Sequence, residues 1–241
     1  MLKAIVVIPT YNEIENIDQI IHAVFSLQTE FHILIVDDNS PDGTSKKVED
    51  LQQQYKEKLF LSVRTKKSGL GTAYVHGFKW ALSKGYQYIF EMDADFSHNP
   101  QDLERLLFAC EMEQADVAIG SRYSTGVNVV NWPLNRVLMS YFASVYVKLI
   151  TGMKIHDATA GFICYRRNVL EKINLDRIKF IGYAFQIEMK YRAYVQKFKI
   201  VEVPIIFTDR TKGQSKMSGS IIREAVFGVV LLRIRKIFNQ L

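Results

Sequence analysis

The sequence predicts an α/β fold, in which a mixed but mostly parallel β-sheet is flanked by helices. Short apolar runs alternate with stretches of helical periodicity throughout the first half of the 241 residues. Each of the five apolar runs also ends in a polar or glycine-rich segment, as strands at a ligand-binding sheet edge do. With 48% hydrophobic residues, the chain is long enough for one sizeable core and too short for two large domains.

Five strands are predicted in the first half, at residues 4–8, 32–36, 59–63, 86–92 and 116–119. The first is apolar and largely β-branched at every position, which is typical of a strand covered on both faces. The intervening stretches have apolar residues three and four apart, which predicts helices. These helices are expected at 13–27, 43–55, 71–83 and 100–113.

The second half is less regular. Residues 132–151 are predicted to form a helix, which either faces the core or contacts lipid at an interface. Two more strands are expected at 162–165 and 200–203. We therefore divide the chain into a main α/β domain at 1–217 and a C-terminal amphipathic helix at 218–241.

The C-terminal helix has an apolar face and is rich in basic residues, namely Arg223, Arg233, Arg235 and Lys236. Such a helix can lie in a membrane interface with its cations toward anionic headgroups. Packing on its own domain or on another subunit is the alternative.

The composition of the chain limits the classes of ligand and partner that it is expected to bind. Lys and Arg number 31 against 25 acidic residues, and this positive balance favours nucleotides, phosphorylated lipids or anionic membranes. Basic residues are not interleaved with aromatic ones, so nucleic acid is not expected. Cys110 and Cys164 have apolar neighbours and are predicted to be reduced core residues of a cytoplasmic protein. We expect no leader, because residues 1–3 lead directly into a strand. We expect no membrane span, because the longest apolar run has eight residues.

The most informative motif is Asp93-Ala94-Asp95, which follows the fourth predicted strand. Where a strand breaks into a loop, both carboxylates can turn toward one divalent cation, which offsets their repulsion. Oxygen ligands suit Mg²⁺ or Mn²⁺, held by one or two carboxylates and substrate phosphates. By itself the motif could also be a solvated acidic turn.

Polar motifs follow the other strands too, and the carboxyl ends of parallel strands share one edge of the sheet. The motifs are 9–13, 37–40, 66–71 and 120–123. Together with the acidic pair they predict a nucleotide site with a metal. Gly69-Leu70-Gly71 is not a dinucleotide fingerprint, because Tyr74 stands where a small residue is required. Arg210 and Lys216 belong to a basic segment that either closes over phosphates or is an ordinary solvated loop.

From Ile8 to about Ser218 the chain resembles the dolichyl-phosphate (polyprenyl-phosphate) mannosyltransferases of glycosyltransferase family 2. The motifs are Pro9-Thr-Tyr-Asn-Glu13, Val36-Asp-Asp-Asn-Ser-Pro-Asp-Gly-Thr44, Gly69-Leu-Gly-Thr-Ala-Tyr74, Met92-Asp-Ala-Asp-Phe-Ser-His98, Gly120-Ser-Arg-Tyr123 and Asp209-Arg210 with Gly213-Gln-Ser-Lys216. The first two and the acidic pair belong to the wider family. The extended forms narrow the match to the lipid-phosphate branch.

The resemblance implies a GT-A fold, Mg²⁺ or Mn²⁺, and inverting transfer of mannose from GDP-mannose to a polyprenyl or dolichyl phosphate. It also implies roles for individual residues. The nucleoside is contacted by Pro9, Tyr11, Glu13, Val36 and Asp38. The donor and metal are held by Asp93, Ala94 and Asp95, with Ser97 as a further metal ligand. Phosphates are bound by Arg122, Arg210 and Lys216, which with Asp93 and Asp95 form the expected catalytic set.

Some relatives continue into transmembrane helices, whereas only one amphipathic helix is predicted at the end of this sequence. The chain therefore resembles the soluble catalytic-subunit type. That type implies peripheral association with the cytoplasmic face of a membrane, directly or through a small membrane-embedded partner subunit. Two alternatives stay open: transfer of another sugar, such as glucose from UDP-glucose, to undecaprenyl phosphate or a glycan, and a non-catalytic nucleotide-binding subunit. A lipid phosphate, with a second pKa near ~6, is anionic enough to attack without a strong general base. Asp157 is a candidate for orienting this acceptor.

Overall fold

The computed structural model describes residues 3–210 and 219–238. The strands are β1 (Ala4–Thr10), β2 (His32–Asp37), β3 (Leu59–Val63), β4 (Tyr88–Glu91), β5 (Val117–Ser121), β6 (Val129–Val130), β7 (Ile163–Arg166), β8 (Ile200–Pro204) and β9 (Phe207–Thr208). The helices are α1 (Ile17–Phe25), α2 (Thr44–Gln52), α3 (Leu70–Ser83), α4 (Asp102–Glu111), α5 (Leu134–Thr151), α6 (Arg167–Lys172), α7 (Tyr183–Val195) and α8 (Gly219–Ile237).

Seven strands form one sheet in the order β3-β2-β1-β4-β7-β5-β8. All neighbouring strands are parallel except β7, which runs antiparallel to both β4 and β5. The predicted mixed, mostly parallel sheet is therefore confirmed. The carboxyl ends of β1, β2, β4 and β5 lie at one edge, where ligands of such sheets bind. A short parallel pair, β6 with β9, joins residues 129–130 to 207–208.

The sheet is covered on both faces, which explains the uninterrupted apolar sequence of β1. Ala4, Val6 and Ile8 belong to a cluster with α1, α2 and α4. Ile5 and Val7 belong to a second cluster with α3, α6 and α7. Successive side chains of a strand point to opposite faces, so a strand between two helical layers is apolar throughout.

The predicted first-half strands and helices and the two later strands are all present, with ends shifted by up to four residues. Helices α6 and α7 and the β6–β9 pair were not predicted. For α5 the core-facing alternative is wrong for most of its apolar residues, because only Ser144, Val147 and Thr151 are buried. Phe142 and Leu149 are 61% and 78% exposed.

Helix α8 packs on its own domain, which was one of the alternatives considered for it, and its other side is exposed. Val229 and Leu232 are buried in the core cluster that includes α7, and the Tyr146 hydroxyl of α5 donates to the Val226 carbonyl at 2.9 Å. On its other side Phe227 and Ile237 are exposed. Among the residues that the structure describes, no helix is long and apolar enough to cross a bilayer.

Gly77 of α3 allows this helix to pack closely on the sheet, and we expect Gly77→Ala to destabilise the protein. An added Cβ would lie 2.4 Å from Cγ1 of the buried Val7. Overpacking of about 1–3 kcal/mol outweighs the ~1 kcal/mol gain in helix propensity. Urea denaturation should show a lower unfolding free energy. Ser83→Ala, at the exposed end of the same helix, is the control and should stay within about 0.5 kcal/mol of wild type; equal stability of both variants would contradict the close approach.

Candidate active site

The first part of the site is formed by the ends of β1 and β2. Asp38 is buried and accepts a hydrogen bond of 2.6 Å from Nε of Arg64. The Lys67 ammonium lies 4.3 Å from the centre of the Tyr11 ring. The Glu13 carboxylate accepts a hydrogen bond from Asn16 at 3.0 Å. The Tyr11 ring therefore has a cation over one face, and the Asp38 and Glu13 carboxylates belong to the segments that follow the same two strands.

Pro9 and Val36, which were expected beside the nucleoside, are strand residues one position before the end of β1 and β2, and they pair with each other in the sheet. The Val36 side chain is fully buried.

The acidic pair lies directly after β4. Asp95 is buried, and one of its oxygens accepts the Ser97 backbone N–H at 3.0 Å. Asp93 accepts a hydrogen bond of 3.3 Å from the Tyr74 hydroxyl. Burial, together with the charge of Asp95, raises the pKa of Asp93 to about 7. Glu13 also acts on this pKa, which links the β1 loop to the acidic pair.

The residues around this pair suit a divalent cation. The repulsion that raises the pKa of Asp93 is the kind that a cation relieves. The Ser97 hydroxyl is buried and forms no hydrogen bond with any described residue, so a hard oxygen ligand is available. No group of three His, Cys, Asp or Glu residues suited to a metal is found within 3–210 and 219–238. Two carboxylates completed by substrate phosphates are sufficient for Mg²⁺.

Arg122 lies after β5 and is held by Asp157. Nε and Nη2 of Arg122 each donate to the Asp157 carboxylate at 2.7 Å, and the Arg122 backbone N–H donates at 3.0 Å. Burial acts to raise the pKa of Asp157, but Arg122 outweighs it and holds this pKa below its ordinary value. Thr159 accepts a further hydrogen bond from Nη2 at 2.8 Å. Asp157 therefore orients Arg122 rather than contacting an acceptor itself.

Arg210, which was expected to bind phosphate, lies beside the acidic pair. Its Nη2 is 2.9 Å from an Asp95 oxygen. The preceding residue, Asp209, accepts two hydrogen bonds of 2.9 Å from Nη1 of Arg136 in α5. Lys216, predicted to bind phosphate, lies outside the described residues.

An aromatic group lies beside the acidic pair and Arg122; His98 ends a motif quoted above, whereas Phe162 and Trp132 were not expected at the site. His98 stacks on Phe162, and Asp95 and Arg122 both act on its pKa, which burial lowers to about 4. Trp132 lies beneath Arg136, with the guanidinium 4.1 Å from the ring centre. No local sequence signal marks Phe162 or Trp132 as site residues. Phe207 of β9 contacts both His98 and Trp132, so the β6–β9 pairing helps to bring the group together. The arrangement connects the acidic pair, through Arg122 and Trp132, to α5.

The fold and this edge, with its paired carboxylates and arginines, define a GT-A glycosyltransferase. Residues 5–174 match the model of glycosyl transferase family 2. The chain belongs to this family.

Two relatives cover nearly the whole chain. The polyprenol monophosphomannose synthase of Mycolicibacterium smegmatis is 49% identical over 97% of this chain and 88% of the relative. The undecaprenyl-phosphate mannosyltransferase of Micrococcus luteus is 43% identical over 95% of this chain and 93% of the relative. Both names correspond to the branch that the sequence motifs indicated.

A solved structure has the same fold at low sequence identity. Glucosyl-3-phosphoglycerate synthase from Mycobacterium tuberculosis, in complex with Mn²⁺, UDP-glucose and phosphoglyceric acid, matches with a TM-score of 0.69 and 15% identity. The match covers 96% of this chain and 79% of that one. The predicted GT-A fold is confirmed, and one protein with this fold binds Mn²⁺.

Proposed function

We propose that this protein transfers mannose from GDP-mannose to a polyprenyl phosphate, with Mg²⁺ or Mn²⁺ at Asp93 and Asp95. The observation that carries the proposal is the meeting of three features at one sheet edge. These are a carboxylate pair, the guanidinium groups of Arg122 and Arg210, and an apolar helix exposed next to them. The first two suit a sugar diphosphate and a second phosphate, and the third suits a lipid.

The chemistry assigns a separate task to each group. An oxygen of the lipid phosphate attacks the anomeric carbon from the face opposite the diphosphate, and the bond from that carbon to the GDP oxygen breaks. A cation held by Asp93, Asp95 and the Ser97 hydroxyl would stabilise the departing diphosphate. Arg210, which already lies at Asp95, is placed to bind the same leaving group.

We assign the acceptor phosphate to Arg122. It lies on the side of the site that continues through Trp132 to α5, 5.5 Å from the Trp132 ring centre. Asp157 fixes the guanidinium but neutralises part of its charge, so Arg122 positions a phosphate without trapping it. The acceptor needs no general base, since its phosphate is largely ionised at neutral pH.

Donor selectivity tests the proposal, because the fold alone does not choose the base. A solved structure with this fold contains UDP-glucose. We expect GDP with Mn²⁺, at about 100 times its Kd, to stabilise the protein by ~2.7 kcal/mol, or about 5–10 °C in Tm. UDP at the same concentration should give little shift. A larger shift with UDP would favour transfer of glucose, and no shift with any nucleotide would contradict a nucleotide site.

We further propose that α5 and α8 rest on a membrane surface. Exposed apolar side chains cover neighbouring positions of the two helices: Leu138, Tyr141, Phe142 and Leu149 on α5, and Phe227, Leu231, Ile234 and Ile237 on α8. Except for Glu224, the charged residues of these two helices are all basic, namely Arg136, Lys148, Arg223, Arg233, Arg235 and Lys236. Apolar and basic character together favour anionic bilayers.

Replacing Phe142 and Leu149 together by Gln should weaken binding to vesicles of anionic phospholipid by at least about tenfold. The matched control replaces Phe108 of α4 and Met112, the residue that follows this helix, which are 56% and 69% exposed on the opposite face of the sheet. Cosedimentation should show wild-type binding for this control. Equal binding by both double variants would contradict the proposed membrane-binding surface. Binding that is restored only by a membrane protein would favour a partner subunit.

The division of the chain at residue 217 stays a prediction.

A further inference from the structure

Helix α7 carries buried polar side chains that the proposed chemistry does not use. Gln186, Glu188, Lys190 and Arg192 are all buried, and Lys190 is fully so. An unpaired charge in a protein interior costs several kcal/mol, whereas apolar replacements of similar volume are often neutral. Stability alone therefore does not explain a lysine at position 190.

The contacts of Lys190 go to backbone rather than to a carboxylate. Its ammonium donates to the carbonyl of Ala160 at 2.5 Å and to that of Gln186, one turn earlier, at 3.2 Å. Ala160 directly follows Thr159, and Thr159 and Asp157 are the two residues that hold the Arg122 guanidinium. The lysine thus anchors the far end of the segment that orients Arg122.

Gln186 supports the other half of the site. Its side-chain amide donates to the carboxylate of Glu91, the last residue of β4, two positions before Asp93. The same amide lies against Gly161, where an added Cβ would be 3.5 Å from its nitrogen. Gln186 and Lys190 are four residues apart, so they lie on one face of the helix.

The charges around Lys190 are consistent with a fixed position. Burial lowers the pKa of Lys190 to about 8, while Glu91 and Asp157 act in the opposite direction. The carboxylates of Glu91 and Asp157, one from each half of the site, therefore stabilise the charge of the Lys190 ammonium without contacting it directly. A neutral side chain would leave both without this partner.

We propose that Gln186 and Lys190 are positioning residues that set the two halves of the site separately, Gln186 the metal-binding end of β4 and Lys190 the segment that holds Arg122. This inference rests on the proposed roles of Asp93 and Arg122. It explains why one face of a helix beneath the site is polar although it is buried.

The test compares Lys190→Met and Gln186→Met in the full-length protein. Lys190→Met should raise the KM for polyprenyl phosphate by about tenfold or more and leave Mn²⁺ affinity, measured by titration in the presence of GDP, within about twofold. Gln186→Met should weaken Mn²⁺ affinity by about tenfold and change the acceptor KM less. If Lys190→Met does not fold, the inference is judged on Gln186→Met alone, by whether its Mn²⁺ affinity changes more than its KM for the acceptor.

Arg192→Met is the matched control. Arg192 is a buried cation of the same helix, but it binds Glu188 at 2.7 Å and the Arg177 carbonyl at 2.9 Å, away from Asp93 and Arg122. It should lower Tm without moving either constant. Parallel changes of both constants in all three variants, following Tm, would overturn the inference in favour of a structural role.

Arg122→Gln separates this inference from the proposed function. A raised acceptor KM in Arg122→Gln, with wild-type kinetics in Lys190→Met below its Tm, would overturn the role of Lys190 alone. An unchanged acceptor KM in Arg122→Gln would overturn the acceptor role of Arg122 and this inference with it.

Discussion

Asp95→Asn is expected to lower the rate of mannosyl transfer by ~10²–10³ while leaving the protein folded. The carboxylate is buried, and its two oxygens face the Ser97 N–H and the Arg210 guanidinium. Asparagine keeps an oxygen for the Ser97 N–H, so local structure should persist. It removes the negative charge that a divalent cation requires. Raising the Mn²⁺ concentration should therefore restore little of the activity.

The control for this variant is Asp102→Asn. Asp102 is also a buried carboxylate paired with an arginine, Arg105 at 2.5 Å, but its partner belongs to the same helix, α4, and not to the proposed site. Initial rates with labelled GDP-mannose and circular dichroism should be measured for both variants. Activity of Asp95→Asn within about threefold of wild type would rule out Asp95 as the principal metal ligand.

Arg210→Gln has the second largest expected effect, a loss of about 10²-fold in kcat. Its guanidinium lies 2.9 Å from Asp95, where the diphosphate of the donor would also lie. Donors that act on charge developing in the transition state lower kcat when they are removed, whereas uniform binding groups raise KM. We therefore expect kcat to fall more than the KM for GDP-mannose rises.

Arg210 is 27% exposed, and its replacement should change Tm by only a few degrees. Lys46→Gln removes an exposed positive charge that pairs with Glu49 and Asp50 of α2 and not with the acidic pair, and it is the control for net charge. If both variants keep wild-type kcat, stabilisation of the leaving group by Arg210 is excluded.

The sequence was most informative in the first half, where the hydrophobic periodicity and the polar motifs after the strands indicated the same arrangement. The β-branched runs and the helical spacing of the first half identified the first five strands and four helices, and the polar segment after each strand located the ligand edge. The direction of β7 could not be predicted from the sequence. A short apolar strand such as Ile163–Arg166 has the same sequence pattern whether its neighbours are parallel or antiparallel.

Helix α7 was missed for a related reason. Its charged residues Glu188, Lys190 and Arg192 are buried, so the helix lacks the contrast between an apolar and a polar face on which periodicity depends. Asp157 illustrates a second limit. A carboxylate near a proposed acceptor site is a reasonable ligand from sequence, but only the structure reveals that Arg122 occupies both of its oxygens.

The central claim is the transfer of mannose from GDP-mannose to a polyprenyl phosphate. It is tested most directly by incubating the wild-type protein with labelled GDP-mannose, a short polyprenyl phosphate, detergent and Mn²⁺, and then measuring label in the lipid fraction. We predict labelled lipid that depends on both the acceptor and the metal. Lipid labelled from UDP-glucose and not from GDP-mannose would contradict the assigned donor, and no labelled lipid with any donor would contradict the assignment as a transferase.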